Sequence, residues 1–128
     1  MRKSVSAWIA AGVLAICMSA ALAQTVAPTS ADTAKGKAFV DANGMTLYIF
    51  DRDAAAKSNC NGQCATLWLP LIADTDAKAS GDFSFITRDD GRKQWAYKGK
   101  PLYTWSKDTK PGDVTGDGVN GVWHIAAP

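Results

Sequence analysis

The sequence contains no glutamate, and all twelve of its acidic residues are aspartates. Glutamate suits helix interiors whereas aspartate suits turns and caps, so this bias argues against a helical protein. No stretch keeps its apolar residues at the 3.6-residue period of an amphipathic helix. We therefore predict an all-β fold with little helix.

An excess of charge is also lacking once the N-terminus is set aside. Arg2 and Lys3 precede an apolar run over residues 5–20, and a small-x-small cleavage signal ends at Ala23. We predict a signal peptide over residues 1–23. Because the apolar run is shorter than the roughly 20 residues of a membrane span, we expect no transmembrane segment in the mature chain.

The predicted mature chain is electrically balanced. Without the two N-terminal cations, twelve basic residues face twelve acidic ones. This balance leaves no excess of positive charge of the kind that binds nucleic acid, so we expect no nucleic-acid partner. Cleavage near Ala23 would place the chain in the periplasm or outside the cell. Lipid anchoring at Cys17 is disfavoured, because the preceding residue is normally small and Ile16 is large. Residues 24–36 are small and polar without periodicity, which predicts a flexible leader.

One motif occurs twice, 55 residues apart, and an internal repeat of this kind predicts the architecture. A glycine, a leucine, a tyrosine, a second aromatic residue and an aspartate follow one another at the same spacing in both copies. The residues in question are Tyr48, Phe50 and Asp53, then Tyr103, Trp105 and Asp108, with Trp68 matched to Trp123 further along. We predict one domain over residues 37–128, with repeats at about 37–73 and 83–128. The two repeats would pack about a pseudo-twofold axis, since neither alone could bury enough surface.

Turn dipeptides between apolar runs predict two hairpins. Asn43-Gly44 lies before residues 45–50 and predicts a type I′ turn, which needs positive φ at both positions. Asp90-Gly91 predicts a second hairpin between residues 83–87 and 93–97. Residues 102–105 would follow as the third strand of a meander.

The remaining segments carry weaker signals. Residues 45–50 are apolar on both faces, which is typical of a central strand covered on both sides. A helical turn leading into an extended segment is predicted around Trp68, and Pro70 argues against a central position for that segment. Residues 109–121 are too rich in glycine for regular structure, and residues 122–125 form a last short strand.

These motifs resemble a known family. The spacing of each tyrosine and aspartate, the loop from Cys60 to Cys64 before Trp68, and the glycine-rich ending before His124 carry the resemblance. The family is the bacterial secreted repeat of unknown function, also described as predicted lipoproteins with a Yx(FWY)xxD motif. The resemblance implies an exported envelope protein built of two tandem repeats, and it implies no reaction. One departure is the usual Trp-Pro-Pro, which here is Trp68 followed by Leu69 and Pro70.

The repeated tyrosines and aspartates allow two interpretations. Tyr48 and Asp53, and likewise Tyr103 and Asp108, would meet only if the chain bends after the strand, because an odd spacing puts them on opposite faces. They could form binding or proton-handling sites. A structural role is favoured, since a fold element must recur in both repeats and an active site need not.

Cys60 and Cys64 remain after signal cleavage and would face an oxidising compartment. A short-loop disulfide is the default for such a pair. A redox-active pair is the alternative, although the spacing is not Cys-x-x-Cys. Zinc would need four ligands, and the two thiols with His124 supply three. Covalent haem is disfavoured because Ala65 follows Cys64 where a histidine ligand is required.

The glycine-rich segment offers weak metal candidates. Asp113 and Asp117 have the spacing that opens a calcium loop, but His124 stands where a bidentate carboxylate is needed. A turn in which the aspartates bond their own backbone is the simpler interpretation. Five aromatic residues could form a platform for sugars or cations, although a chain of this size needs most of them in its core. They are Trp68, Trp95, Tyr97, Trp105 and Trp123.

We conclude that the sequence predicts an exported envelope protein, most simply a non-catalytic binding or structural module with no cofactor. We identify no catalytic residues, and the ligand or protein partner is undetermined. The alternative is a small periplasmic redox or metal-handling protein that uses Cys60 and Cys64. A hydrolase is disfavoured because no nucleophile, base and orienting group stand out together.

Overall fold

The computed structural model describes residues 23–128. The predicted signal peptide, apart from its last residue, and the lipidation candidate Cys17 lie outside the described residues. Within residues 23–128 there are nine short strands, one four-residue helix and one 3-10 turn. The elements are β1 (Thr29–Thr33), β2 (Gly36–Val40), β3 (Tyr48–Phe50), α1 (Cys64–Leu67), β4 (Trp68–Pro70), β5 (Phe83–Thr87), β6 (Lys93–Tyr97), β7 (Lys100–Pro101), β8 (Tyr103–Trp105), the 3-10 turn (Val119–Gly121) and β9 (Trp123–Ile125). The predicted all-β fold is confirmed.

A four-stranded antiparallel sheet in the order β4-β8-β3-β9 lies at the centre of the fold. The motif strands β3 and β8 are its middle pair, and Tyr48 lies directly opposite Tyr103. Because these two residues occupy the same position in the two repeats, the pseudo-twofold axis passes between them. The prediction that the strand containing Tyr48 is central is confirmed.

Each repeat completes its partner's half of the sheet. Strand β9 of the second repeat pairs with β3, and β4 of the first repeat pairs with β8. Two backbone hydrogen bonds extend this exchange at equivalent places: Ala126 donates to the Leu47 carbonyl and Leu71 donates to the Leu102 carbonyl, both at 2.9 Å. Neither repeat can therefore form its sheet alone.

The central sheet is covered on both faces. One buried cluster contains Leu47 and Leu102 with Phe39, Leu71 and Trp95, and the other contains the tyrosines, Cys60 and three tryptophans. Adjacent residues of a strand point to opposite faces, so each motif strand sends its leucine to one cluster and its tyrosine to the other. The core therefore has two parts, one on each face of the central sheet.

The predicted hairpins form with some differences. Strands β5 and β6 pair across Asp90-Gly91 as expected. Across Asn43-Gly44 only Gly44 has positive φ, so the turn is not type I′. The Asp41 carboxylate accepts from the N–H of Asn43 at 2.8 Å and of Met45 at 3.0 Å, which stabilises a longer loop ending in a left-handed glycine.

The chain after β6 also differs from the predicted three-stranded meander. Lys98 and Gly99 both have positive φ and form a tight turn between β6 and β7. Strand β7 ends at Pro101, and β8 joins the central sheet. The single residue Leu102 separates the two strands, and its N–H still bonds the Trp95 carbonyl at 3.0 Å.

The segment predicted as a flexible leader contains ordered structure. Thr29–Thr33 forms β1 and pairs along its whole length with β2. Gln24 is only 7 % exposed, and its carbonyl accepts from the Trp95 indole N–H at 2.9 Å. This segment shows no apolar alternation because most of β1 is open to solvent, so its pairing comes from the backbone and leaves no mark in the sequence pattern.

The segment around Trp68 matches its prediction. Helix α1 is a single turn that leads directly into β4, and β4 lies at the edge of the central sheet as Pro70 indicated. Trp68, Trp95, Trp105 and Trp123 are all buried, as expected for a small core. Among the described residues, no helix has both the length and the apolar character needed to cross a membrane.

Candidate functional site

The two repeated tyrosines lie side by side, and each bonds the aspartate of the other repeat. The Tyr48 hydroxyl donates to Asp108 Oδ2 at 2.7 Å, and the Tyr103 hydroxyl donates to Asp53 Oδ2 at 2.8 Å. These pairs differ from the within-repeat pairs that the sequence suggested. Strands β3 and β8 are antiparallel, so the end of each strand lies beside the start of the other. The aspartate that follows one strand therefore reaches the tyrosine at the start of the other strand.

Tyr48 and Asp108 form a sealed pair. Asp108 is 7 % exposed, and its Oδ1 accepts from the Thr115 N–H at 3.0 Å and the Thr115 hydroxyl at 2.6 Å. The Gly116 N–H donates to the Tyr48 oxygen at 3.2 Å. Burial, with the bond to Asp108, raises the pKa of the Tyr48 hydroxyl well above its ordinary value. The phenol therefore remains a hydrogen-bond donor at neutral pH.

Tyr103 and Asp53 form an open pair with different neighbours. The Tyr103 hydroxyl lies 2.6 Å from Ser58 Oγ, and Arg88 Nη1 donates to that same Oγ at 3.0 Å. Because the Tyr103 proton goes to Asp53, the Ser58 hydroxyl donates to Tyr103. A relay of hydrogen bonds thus runs from the Arg88 cation through two hydroxyls to the Asp53 carboxylate. Burial raises the pKa of the Tyr103 hydroxyl as well.

Arg88 is a buried cation that the sequence analysis missed. It is 5 % exposed, and its remaining Nη bonds reach Gln94 Oε1 at 2.8 Å, the Cys60 carbonyl at 2.8 Å and Asn61 Oδ1 at 3.1 Å. Its Nε has no hydrogen-bond partner among residues 23–128. An arginine at the start of an Asp-Asp-Gly turn resembles any surface residue, and no signal in the sequence marks it as buried.

The disulfide between Cys60 and Cys64 is present, and its loop packs against Arg88. Cys60 is fully buried, whereas Cys64 is partly accessible at the start of α1. The bridge closes a ring of only a few residues, so it restrains the loop more than the whole fold. The proposed redox use of this pair remains a prediction.

Four aromatic rings form a continuous stack beside the tyrosines. Phe50 stacks on Trp123 at 4.1 Å, Trp123 on Trp68 at 3.8 Å, and Trp68 on Trp105 at 3.9 Å between ring centroids. The two inner rings are equivalent residues of the two repeats, as are the two outer rings, so the stack obeys the pseudo-twofold axis. Its burial makes it part of the core and leaves little of it free as a ligand platform.

An open cleft of about 270 Å³ lies next to the open pair. One wall is formed by residues 49–55 and the other by residues 98–101. Asp53 faces this cleft, and burial raises the pKa of its carboxyl although the N–H of Asn59 and the Tyr103 hydroxyl partly offset the effect. The relay from Arg88 therefore ends at the open cleft.

The first repeat provides the position equivalent to the turn at residues 98–99 of the cleft. The turn at Lys98-Gly99 corresponds to Asn43-Gly44, and a Cβ added at Gly44 would lie 3.2 Å from the Pro111 side chain. At Gly99 the nearest atom to such a Cβ is the Ala56 backbone nitrogen at 3.9 Å. The proline ring therefore packs closely on the turn in one copy, and the other copy lacks this covering ring.

The weak metal candidates are engaged separately. Asp113 accepts from the Thr109 N–H and from Lys110, and these bonds, the one from Lys110 above all, hold its pKa well below the usual range. Asp117 bonds Lys35 at 3.3 Å and the N–H of Ile125 at 3.1 Å. Within residues 23–128, no three His, Cys, Asp or Glu side chains are grouped as a metal site would require.

The hydroxyl groups of Ser58 and Tyr103 are both engaged in hydrogen bonds. The Ser58 hydroxyl donates to Tyr103 while its oxygen accepts from Arg88, and a cationic donor lowers the nucleophilicity of an oxygen. His124 Nε2 lies 2.8 Å from Asp51 Oδ2 at the cleft wall, where the pair is largely exposed. The chemistry on offer consists of fixed charges and donors around a small space.

Comparison with known proteins gives one match. The sequence model of a family described as secreted repeat of unknown function matches the chain twice, over residues 29–72 and 84–127. The first match begins at β1, so the first repeat starts earlier than the predicted residue 37. No curated protein matches the chain. No solved structure matches it either.

Proposed function

The chain belongs to the family of secreted repeats of unknown function, a family that implies no activity, and we propose that the protein is a non-catalytic module that binds a small ligand outside the cytoplasm. The proposed site is the cleft between residues 49–55 and residues 98–101. In this proposal the mature chain begins near Gln24 and acts in the periplasm or beyond the cell.

One observation carries the proposal: the cleft has charges that its pseudo-symmetric counterpart does not have. Asp51, Lys98 and Lys100 line the cleft. The residues at the equivalent positions, 55 away in the sequence, are Ser106, Asn43 and Met45. The other half of the fold has uncharged residues at these positions. The repeat itself therefore does not demand the three charges, and ligand binding gives a reason for them.

The size of the cleft supports a small ligand. Its volume of about 270 Å³ lies just below the roughly 300–1,000 Å³ typical of pockets for drug-sized ligands. The wall formed by residues 98–101 is fixed by the pairing of β7 with β6, and the Ala56 N–H donates to the Gly99 carbonyl at 2.9 Å. A preformed site of this kind loses little conformational entropy on binding.

The symmetry supplies a matched variant for the test. In Asp51→Ser/Lys98→Asn/Lys100→Met, each charged residue is replaced by its counterpart from the other repeat. The exported protein would be titrated with a panel of sugars, amino acids, carboxylic acids and amines, with binding followed by amide ¹H–¹⁵N spectra. We expect at least one compound to shift resonances of residues 49–55 and 98–101, and the triple variant to lose the effect while its thermal unfolding is unchanged.

An exposed lysine away from the cleft serves as control. Lys107→Gln should bind as the unmodified protein does. The proposal fails if no compound on the panel shifts the cleft resonances. It also fails if the triple variant binds as tightly as the unmodified protein.

A further inference from the structure

The two walls of the cleft carry opposite charges. Asp51 and Asp53 lie on the wall formed by residues 49–55, and Lys98 and Lys100 lie on the facing wall. The formal charges of the lining residues cancel. A site with two charges of each sign disfavours a ligand that carries a single charge, because one wall would always repel it.

The opposite charges do not neutralise each other directly. Among residues 23–128, neither lysine lies within 4.0 Å of a carboxylate oxygen. The Lys98 ammonium lies 5.4 Å from the centre of the Tyr97 ring. The acids are held elsewhere, since Asp51 bonds His124 at 2.8 Å and Asp53 accepts from Tyr103. The walls are therefore fixed apart, with space for a molecule between them.

Lys98 occupies a backbone conformation that lysine disfavours. Its φ is 50°, in the left-handed region where glycine and asparagine are more stable. Such strain is typically kept where the side chain or the local shape has a function. Lys98 lines the cleft, and an asparagine at this turn would bring no charge to it.

Half of the residues that line the cleft are apolar. They are Ile49, Phe50, Ala54, Ala55 and Pro101. Phe50 is one of the two outer rings of the aromatic stack and is partly exposed. A ligand that bridges the charged walls would therefore place an apolar part over Phe50, where burial adds favourable free energy.

We propose that the cleft binds a free amino acid with an apolar side chain, its ammonium directed to Asp51 and Asp53 and its carboxylate to Lys98 and Lys100. This inference rests on the proposed function. The Asp53 carboxylate can accept the additional bond, because two oxygens offer about four lone pairs. Ammonium and carboxylate bonds of this kind are charge-assisted and orient a small ligand strongly.

Three related compounds test the charge requirement. L-Leucine carries both charges, N-acetyl-leucine lacks the ammonium, and leucine amide lacks the carboxylate. Binding to the exported protein would be measured by calorimetry and by shifts of the cleft resonances. We expect leucine to bind at least tenfold more tightly than either analogue.

Single variants assign each end of the ligand to a wall. Lys98→Asn should weaken leucine severalfold but should not weaken leucine amide, because the amide has no carboxylate to lose and is no longer repelled by the Lys98 charge. Asp51→Asn should likewise weaken leucine but not N-acetyl-leucine. Lys98→Asn should keep or raise thermal stability, since asparagine tolerates positive φ, so lost binding cannot be attributed to unfolding.

The outcomes separate this inference from the proposed function. Equal binding of leucine and N-acetyl-leucine would overturn the zwitterion and indicate an anion site. Cleft shifts with a sugar or an organic acid but not with leucine would overturn the amino-acid ligand and leave the proposed function standing. The absence of any cleft shift across the whole panel would overturn both.

Discussion

Removing a tyrosine hydroxyl tests whether the two repeats are joined by crossed hydrogen bonds. In Tyr48→Phe, Asp108 Oδ2 loses the donor at 2.7 Å and the Gly116 N–H loses its acceptor at 3.2 Å. Both groups are buried, so water cannot replace the missing oxygen. Hydrogen bonds to charged groups contribute about 1.5–3 kcal/mol, and we expect the free energy of unfolding to fall by about 2–3 kcal/mol.

Tyr103→Phe should cost less, although the sequence motif is the same. Asp53 is partly exposed at the cleft, and water can reach its carboxylate once the phenol is gone. We expect a loss of about 1–2 kcal/mol. Urea unfolding followed by tryptophan fluorescence measures both values, and an unchanged slope with urea would show that the variants unfold to the same extent.

Double-mutant cycles decide which aspartate each tyrosine contacts. Tyr48→Phe combined with Asp108→Ala should show a coupling of about 1–3 kcal/mol, and so should Tyr103→Phe with Asp53→Ala. The within-repeat combinations, Tyr48→Phe with Asp53→Ala and Tyr103→Phe with Asp108→Ala, should be additive to within about 0.5 kcal/mol. Strong coupling in the within-repeat cycles and additivity in the crossed cycles would refute the exchange of partners.

Three further perturbations have defined outcomes. Gly116→Ala would place a methyl group 2.8 Å from the Trp68 ring and 2.9 Å from the Tyr48 ring. We expect this overpacking to lower the free energy of unfolding by about 1–3 kcal/mol, and unchanged urea unfolding would contradict the packing. Reducing the disulfide opens a ring with a sequence separation of 4, and the loss of this loop closure should lower the free energy of unfolding by about 2 kcal/mol. As a control, the variant Cys60→Ser/Cys64→Ser should unfold alike with or without reductant. Burial raises the pKa of two of the three tyrosines, Tyr48 and Tyr103, above the unfolded value of about 10. In alkali the native state therefore holds more protons than the unfolded state, and stability should fall as the pH rises above about 10. An absorbance titration in which all three tyrosines ionise before unfolding would contradict that burial.

Local features of the fold were predictable because local chemistry determines them. The turn before β6, the central position of Tyr48, the edge position of Pro70 and the burial of the tryptophans each follow from a few neighbouring residues. The exchange of β4 and β9 could not be predicted in this way. Two copies of one motif offer the same residues to each other, so the sequence does not distinguish pairing within a repeat from pairing between repeats.

The candidate site was harder to predict than the fold. Tyr103 and Asp53 stand out because they recur, but recurrence favoured a structural role for both. The other repeat has no identical residue at the positions equivalent to Arg88, Ser58 or the lysines of the cleft, and none of them lies in a recognisable motif. They stand out only when the two halves of the fold are compared, because equivalent positions then carry different residues.

The open pair gives the disulfide loop a role in orienting the cleft. Arg88 holds the loop through the Cys60 carbonyl, and its charge reaches Asp53 through the hydroxyls of Ser58 and Tyr103. In such a chain each bond polarises the next, so the cation and the carboxylate stabilise each other without direct contact. Asp53 is thus fixed by residues on its buried side and is left with lone pairs toward the cleft. The same Tyr–Asp bond is sealed in one half of the molecule and, in the other half, holds a carboxylate that lines the cleft.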